Sequence, residues 1–204
     1  FAGSTIGLSK KIFQDKREPL YGRLKREMFL KQLNFESILD MASELKIKDI
    51  DEAISLYALF GGFPLYYTAI EDEGLQGKIL LDIVERFFFA TNAVFEEEVE
   101  KILSLELGKR KGRYYDIIAA IAQGNRTIAG VSSCLSVRET KLTRYIHELM
   151  NSFEIISQEG QVIGNKKFFV INSPIIDFWF KFFYTNLSLY KLRNKRFIEK
   201  IRTD

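Results

Sequence analysis

One cysteine, one histidine, one tryptophan and three prolines are all that this chain of 204 residues contains of those types. The lone Cys134 excludes an internal disulfide and any metal site built from several thiolates. Set between Val131 and Leu135, it is expected to be a buried structural thiol rather than a nucleophile. The lone His147 leaves no histidine metal cluster and no second imidazole for a proton relay. No apolar run reaches the roughly 18 residues that cross a bilayer, and no secretory leader opens the chain. A cytoplasmic protein without a membrane partner is therefore expected. A phosphate cradle is missing as well: the P-loop pattern G-x-x-x-x-G-K-[ST] needs a lysine directly after its second glycine, and the segment from Gly3 to Lys10 lacks both that lysine and the spacing. No catalytic constellation replaces it, since Ser132-Ser133-Cys134 has no base nearby in sequence. The run Glu96-Glu97-Glu98 reads as a solvated face, because consecutive helical positions point in different directions. Neither a catalytic set nor a metal set is expected.

What the chain has is aromatic mass and segregated charge. Hydrophobic residues make up 47% and charged residues 28%, as in ordinary globular proteins, with 18 phenylalanines to bury. The net charge of +3 hides a pattern. Residues 1–31 carry 8 basic and 3 acidic side chains, and residues 32–107 carry 5 and 16. Residues 108–172 carry 10 and 5, and residues 173–204 carry 7 and 3. The acidic block coincides with a helical block, so separate domains with separate partners are expected.

The stretch from Arg113 to Asn172 reads as a winged helix-turn-helix. Tyr114, Ile117, Ile118 and Ile121 recur at helical spacing, and Gly124-Asn125 suits a helix stop. A short second helix is expected from about Thr127 to Leu135. Ser136 then reads as the cap of a third, with Glu139 completing a capping box. Leu142, Tyr145, Ile146, Leu149 and Met150 form its inner stripe. Arg138, Thr140, Lys141 and Arg144 fall on the other side, where a recognition helix meets DNA. Phe153–Ser157 and Phe168–Ile171 are apolar, β-prone runs around a turn-rich centre, Glu159-Gly160 and Gly164-Asn165, which makes a hairpin wing carrying Lys166 and Lys167. The DNA-contact set is therefore Arg138, Thr140, Lys141, Arg144, Lys166 and Lys167.

Around that module, Phe1–Leu8 reads as the end of a buried strand, and Met28, Leu30 and Leu33 as another short strand. Helices follow from Asn34, loaded by Phe35, Ile38 and Leu39, then by Ile54, Leu56, Tyr57, Leu59 and Phe60. Gly61-Gly62-Phe63-Pro64 interrupts them, and helices resume through Leu65–Ile70, Leu75–Phe89 and Thr91–Leu107. The basic run from Lys109 to Arg113 reads as the linker into the winged helix. Ser173-Pro174 starts a helix whose residues Ile175 to Tyr184 leave almost no polar face, so it is buried or pressed against a partner.

The order A-G-S, P-L-Y-G-R, G-G-F-P, winged helix and S-P-I-I-D-F-W-F-K-F-F-Y-T-N resembles the C-terminal half of the archaeal ATPase family, a branch of the signal-transduction P-loop NTPases related to AAA-type ATPases. Ser173, Asp177 and Thr185 stand where that pattern often has Asp, Arg and Pro. The resemblance implies a mainly α chain: residues 1–33 a remnant of the P-loop α/β domain, 34–107 a helical lid bundle, 108–172 the winged helix-turn-helix with its β-hairpin wing, and 173–204 an aromatic helix with a basic tail. It implies that Ser4, Thr5, Arg23, Gly61, Gly62 and Pro64 contribute to nucleotide binding, with Ser4 and Thr5 sensing the terminal phosphate, Arg23 complementing phosphate charge and the Gly61–Pro64 turn placing a proline against the base. ATP and Mg would be bound by the longer parent protein. This chain, which starts at Phe1 and looks cut from something longer, would be inactive alone for want of Walker A and Walker B elements. DNA is the expected partner, with a protein partner or self-association through the 175–184 aromatic helix. The alternative reading is a free-standing winged-helix DNA-binding regulator, or an interaction adaptor without nucleotide.

Overall fold

The computed structural model describes residues 12–13, 16–23, 25, 26, 28, 30–108, 110–160, 167–192, 197, 199 and 201. The chain is mainly helical and divides into two units. Leu30–Glu98 and Ser173–Asp204 form a helical unit, and Phe1–Phe29 with Val99–Asn172 form a second, the hairpin unit. The expected short strand across Met28, Leu30 and Leu33 does not form: Met28 and Leu30 are 83% and 90% exposed, with no sheet partner among the described residues. The backbone N–H of Leu33 donates instead to the carbonyl of Gly62, at 2.8 Å.

In the helical unit, α1 (Phe35–Glu44) starts where the Asn34 side chain accepts from the Ser37 N–H, and it buries Ile38 and Ala42. α2 (Ile50–Phe60) is capped by Asp49 and carries Asp51 and Glu52 in its first turn, where they complement the helix dipole. It buries Ala53, Leu56, Leu59 and Phe60. Gly61 ends it at φ 61, ψ −155, a conformation essentially restricted to glycine. α3 (Pro64–Asp72) begins on Pro64, whose missing N–H is no loss at the first helical position. Among the described residues no single helix is long and apolar enough to cross a membrane. α2 and α3 have the length and composition together but are bent by 118°.

α4 (Leu80–Val84) continues into one π turn, Glu85–Phe89, in which the Ala90 N–H reaches the Glu85 carbonyl at 2.9 Å. A regular helix turns 100° per residue, so three consecutive phenylalanines could not share its inner face. The widened turn buries Phe87, Phe88 and Phe89 together. Its carbonyls need outside donors: Phe87 O accepts from the Phe95 N–H and Phe88 O from the Tyr190 hydroxyl, each at 2.9 Å. The expected helix from Thr91 is a turn until Glu98, with Asn92 left-handed at φ 60. α5 (Glu98–Leu107) follows and, from Val99 on, belongs to the hairpin unit.

The hairpin unit contains α6 (Gly112–Ala122), α7 (Ile128–Leu135), α8 (Glu139–Asn151) and the antiparallel strands β1 (Ile156–Gly160) and β2 (Lys167–Ile171). α6 ends as its sequence implies: Gly124 N–H reaches Ile121 O, Asn125 N–H reaches Ala120 O, and Gly124 sits at φ 94. Thr127 caps α7 by accepting from the Gly130 N–H at 3.0 Å. The capping box at Ser136 does not form. Ser136 is left-handed at φ 52, ψ 41 and closes α7, its N–H directed to the carbonyls of Ser132 and Ser133, so Arg138 precedes α8 without a side-chain cap. The hairpin also starts later than the apolar run suggests. Phe153 and Ile155 are buried in the approach to β1, while Glu159 and Gly160 lie within that strand, and Gly164-Asn165 lies outside the described residues. Register pairs Ile156 with Ile171 and Gly160 with Lys167.

Back in the helical unit, α9 (Pro174–Phe178) runs into a second π turn, Trp179–Phe183, then a 3-10 turn, Tyr184–Asn186, and α10 (Leu187–Lys191). Ser173 makes no side-chain cap bond, and Pro174 alone marks the start. The aromatic block is buried within its own unit. Phe183 packs edge-on to Phe89 at 5.4 Å and stacks on Tyr190 at 4.5 Å, and Phe178 lies 5.9 Å from Phe88.

Candidate nucleic-acid interface

α8 is strongly two-faced. Leu142, Ile146 and Leu149 are buried and Tyr145 and Met150 half-buried. Thr140, Arg144 and His147, at i, i+4 and i+7 on the opposite side, are exposed, as are Arg138 and Lys141. Lys167 is exposed at the start of β2. Four of the six residues expected to meet DNA thus share one outer face or its leading end, Lys167 lies on the hairpin, and Lys166 lies outside the described residues. Cys134, expected to be buried, is exposed: α7 buries only Val131, so its outer side faces solvent.

One arrangement was hidden from the sequence. The Tyr114 hydroxyl on α6 donates to Glu148 Oε2 on α8, and the Arg144 guanidinium Nε donates to Glu148 Oε1 at 2.8 Å. Tyr114 is in turn held edge-on by Tyr145 at 5.1 Å and by Phe153 at 5.8 Å, with Arg110 over the Phe153 ring at 5.4 Å. The Tyr114 bond, followed by that from Arg144, holds the Glu148 carboxyl below its ordinary value. Burial, followed by the bond to Glu148, pushes the Tyr114 hydroxyl up to about 12. The i, i+4 spacing of Arg144 and Glu148 was the only signal available, and with the base first it is the weaker orientation.

The signs give a two-sided pH dependence. Glu148, depressed in the folded state, contributes stability above the ordinary carboxylate range of about 4.3 that is lost as pH falls through its lower folded value. Tyr114, raised in the folded state, contributes stability below about 10 that is lost as pH climbs toward 12. Tyr114→Phe should cost roughly 1 kcal/mol at neutral pH and flatten both edges of the stability curve, read by urea denaturation under circular dichroism. Superimposable pH profiles for wild type and variant would refute the linkage.

The residues expected to contribute to nucleotide binding are placed differently. Ser4 and Thr5 lie outside the described residues. Arg23 is exposed, its N–H bonded to Leu20 O at 3.2 Å, and belongs to the hairpin unit, whereas Gly61, Gly62 and Pro64 belong to the helical unit. A Cβ on Gly62 would lie 1.9 Å from Leu33 O, and one on Gly61 would lie 2.9 Å from Gln32 Oε1 and 3.3 Å from Pro174 Cγ. The space left by the missing side chains is filled by Leu33, Gln32 and Pro174, so close packing of the chain against itself is one reason for glycine at both positions. Pro64 is exposed. Among the described residues no group of three or more His, Cys, Asp or Glu could hold a metal ion.

No protein-family model matches the chain, and no solved structure matches it. Among curated proteins it is similar to an uncharacterised protein of Methanocaldococcus jannaschii, 24% identical over 191 residues. That match covers 91% of this chain and 41% of the relative, so the chain spans about two fifths of the relative's length.

Proposed function

We propose that the hairpin unit is a winged helix-turn-helix that binds double-stranded DNA, with α8 as recognition helix in the major groove and the β1–β2 hairpin as wing. The observation that carries this reading is the exposed side of α8, where Thr140 and Arg144 stand opposite the buried Leu142, Ile146 and Leu149, with Lys141 exposed beside them and Arg138 exposed just ahead of the first turn. Side chains of this kind at the start of such a helix supply phosphate anchoring and base contacts. If roughly four cations neutralise phosphates, log affinity for a duplex should fall with log salt at a slope of about −3.6, and Arg138→Ala with Lys141→Ala should reduce the slope to about −1.8. A flat salt response in the wild type would sink the proposal.

The ordered motifs further support a parent protein of the archaeal ATPase type, with this chain as its lid and output arm. ATP and Mg would then be held by elements of the parent upstream of this chain. The second reading is a winged-helix regulator that needs no nucleotide, for which the packing of Gly61 and Gly62 against Leu33, Gln32 and Pro174 is purely structural. Duplex affinity of the full-length protein with and without ATP separates the two: a shift supports the ATPase parent, and an unchanged affinity supports the regulator.

A further inference from the structure

We propose that Arg144 reads a guanine base in the major groove, oriented for it by Glu148 and, behind Glu148, by Tyr114. The inference rests on the DNA-binding reading of the hairpin unit. Arg144 and Thr140 sit on the side of α8 facing directly away from Leu142 and Ile146, so this part of the helix enters a groove first. The Arg144 side chain is 81% exposed, yet its Nε is tied to Glu148 Oε1. That contact is made by Nε and does not use the two terminal amino groups, the pair that as an end-on fork matches guanine O6 and N7. A long cation free in solvent would lose rotamer freedom on docking, whereas one already braced by a carboxylate loses less. The brace is anchored off the helix: Glu148 Oε2 accepts from Tyr114, a residue of α6 wedged against Tyr145 and Phe153. Glu148 and Tyr114 are thus positioning residues, and Arg144 is the contact.

Charge sorts the cations into two roles. Arg138 and Lys141 meet phosphates as open charges, while Glu148 already neutralises Arg144. Removing Arg144 should therefore change sequence preference and leave the salt slope almost intact, whereas removing Lys141 should cut the slope by about 0.9 and leave preference intact.

The test is selection from a randomised 20-base-pair duplex pool, followed by salt titration on the enriched duplex and on a scrambled one. Wild type should enrich a guanine at one position, favoured about 5- to 150-fold over other bases. Arg144→Ala and Arg144→Lys should both lose that preference, because a lysine cannot present the fork. Glu148→Gln and Tyr114→Phe should weaken it while retaining affinity for the scrambled duplex. If Arg144→Ala keeps the guanine, or lowers the salt slope as Lys141→Ala does, the assignment is overturned while DNA binding stands. If Glu148→Gln keeps the full preference, the positioning role is overturned. If wild type binds no duplex at all, the assignment falls together with the DNA-binding reading.

Discussion

Gly62→Ala should destabilise the helical unit by more than about 3 kcal/mol, among the largest effects of any single substitution here. The obstacle to the new methyl group is backbone: Leu33 O at 1.9 Å, Leu33 N at 2.6 Å and Leu33 C at 2.7 Å. No side-chain rotation relieves such a clash. Leu33 could retreat only by giving up its bond to Gly62 O at 2.8 Å and drawing Gln32 Oε1 from the Gly62 N–H. Trp179, the sole tryptophan, is buried in the same unit, so its fluorescence during urea denaturation reports directly. Gly112→Ala, in the hairpin unit, should leave that signal almost unchanged. Nothing lies within 4 Å of a Cβ there, the φ is ordinary, and the midpoint should shift by no more than about 0.5 kcal/mol equivalent. A wild-type midpoint for Gly62→Ala would mean that the close approach of Leu33 is wrong.

Phe183→Ala should cost the same unit about 3–5 kcal/mol. Phe183 is fully buried, and its ring meets Phe88 at 5.8 Å, Phe89 at 5.4 Å, Phe178 at 5.3 Å and Tyr190 at 4.5 Å. Truncation leaves a hole lined by stiff rings that cannot collapse into it. Trp179 emission should also shift to the red as water reaches the second π turn. Leu192→Ala, at a residue 77% exposed, should do nearly nothing. Equal urea midpoints for the two variants would contradict the packing described here.

Local pattern is decisive where only one backbone solution fits it. The inner stripes of α6 and α8 were legible because apolar residues at helical spacing have one good solution, and Gly124 was legible because the stop requires a positive φ. Ser136 misled because serine serves either end of a helix: the residue that suits an N-cap was taken by the preceding helix as its left-handed end. The π turns were not legible, since a local widening leaves no periodic trace. The Phe87-Phe88-Phe89 run signals only that something must give. At the candidate interface the cations were visible from sequence alone. That Tyr114 also holds Glu148 was not, because its bond comes from a residue more than thirty positions upstream.

The division of the chain sets an order of completion. α6, α7, α8 and the hairpin occupy one continuous stretch, with local contacts that form early on a growing polypeptide. The helical unit is interrupted by that stretch and draws its last core residues from beyond it. Until Phe183 and Tyr190 leave the ribosome, Phe88 and Phe89 lack the rings that cover them, and Phe88 O lacks the hydroxyl that satisfies it. The rings that complete the cover of Phe88 and Phe89 are thus among the last parts of the helical unit's core to be translated.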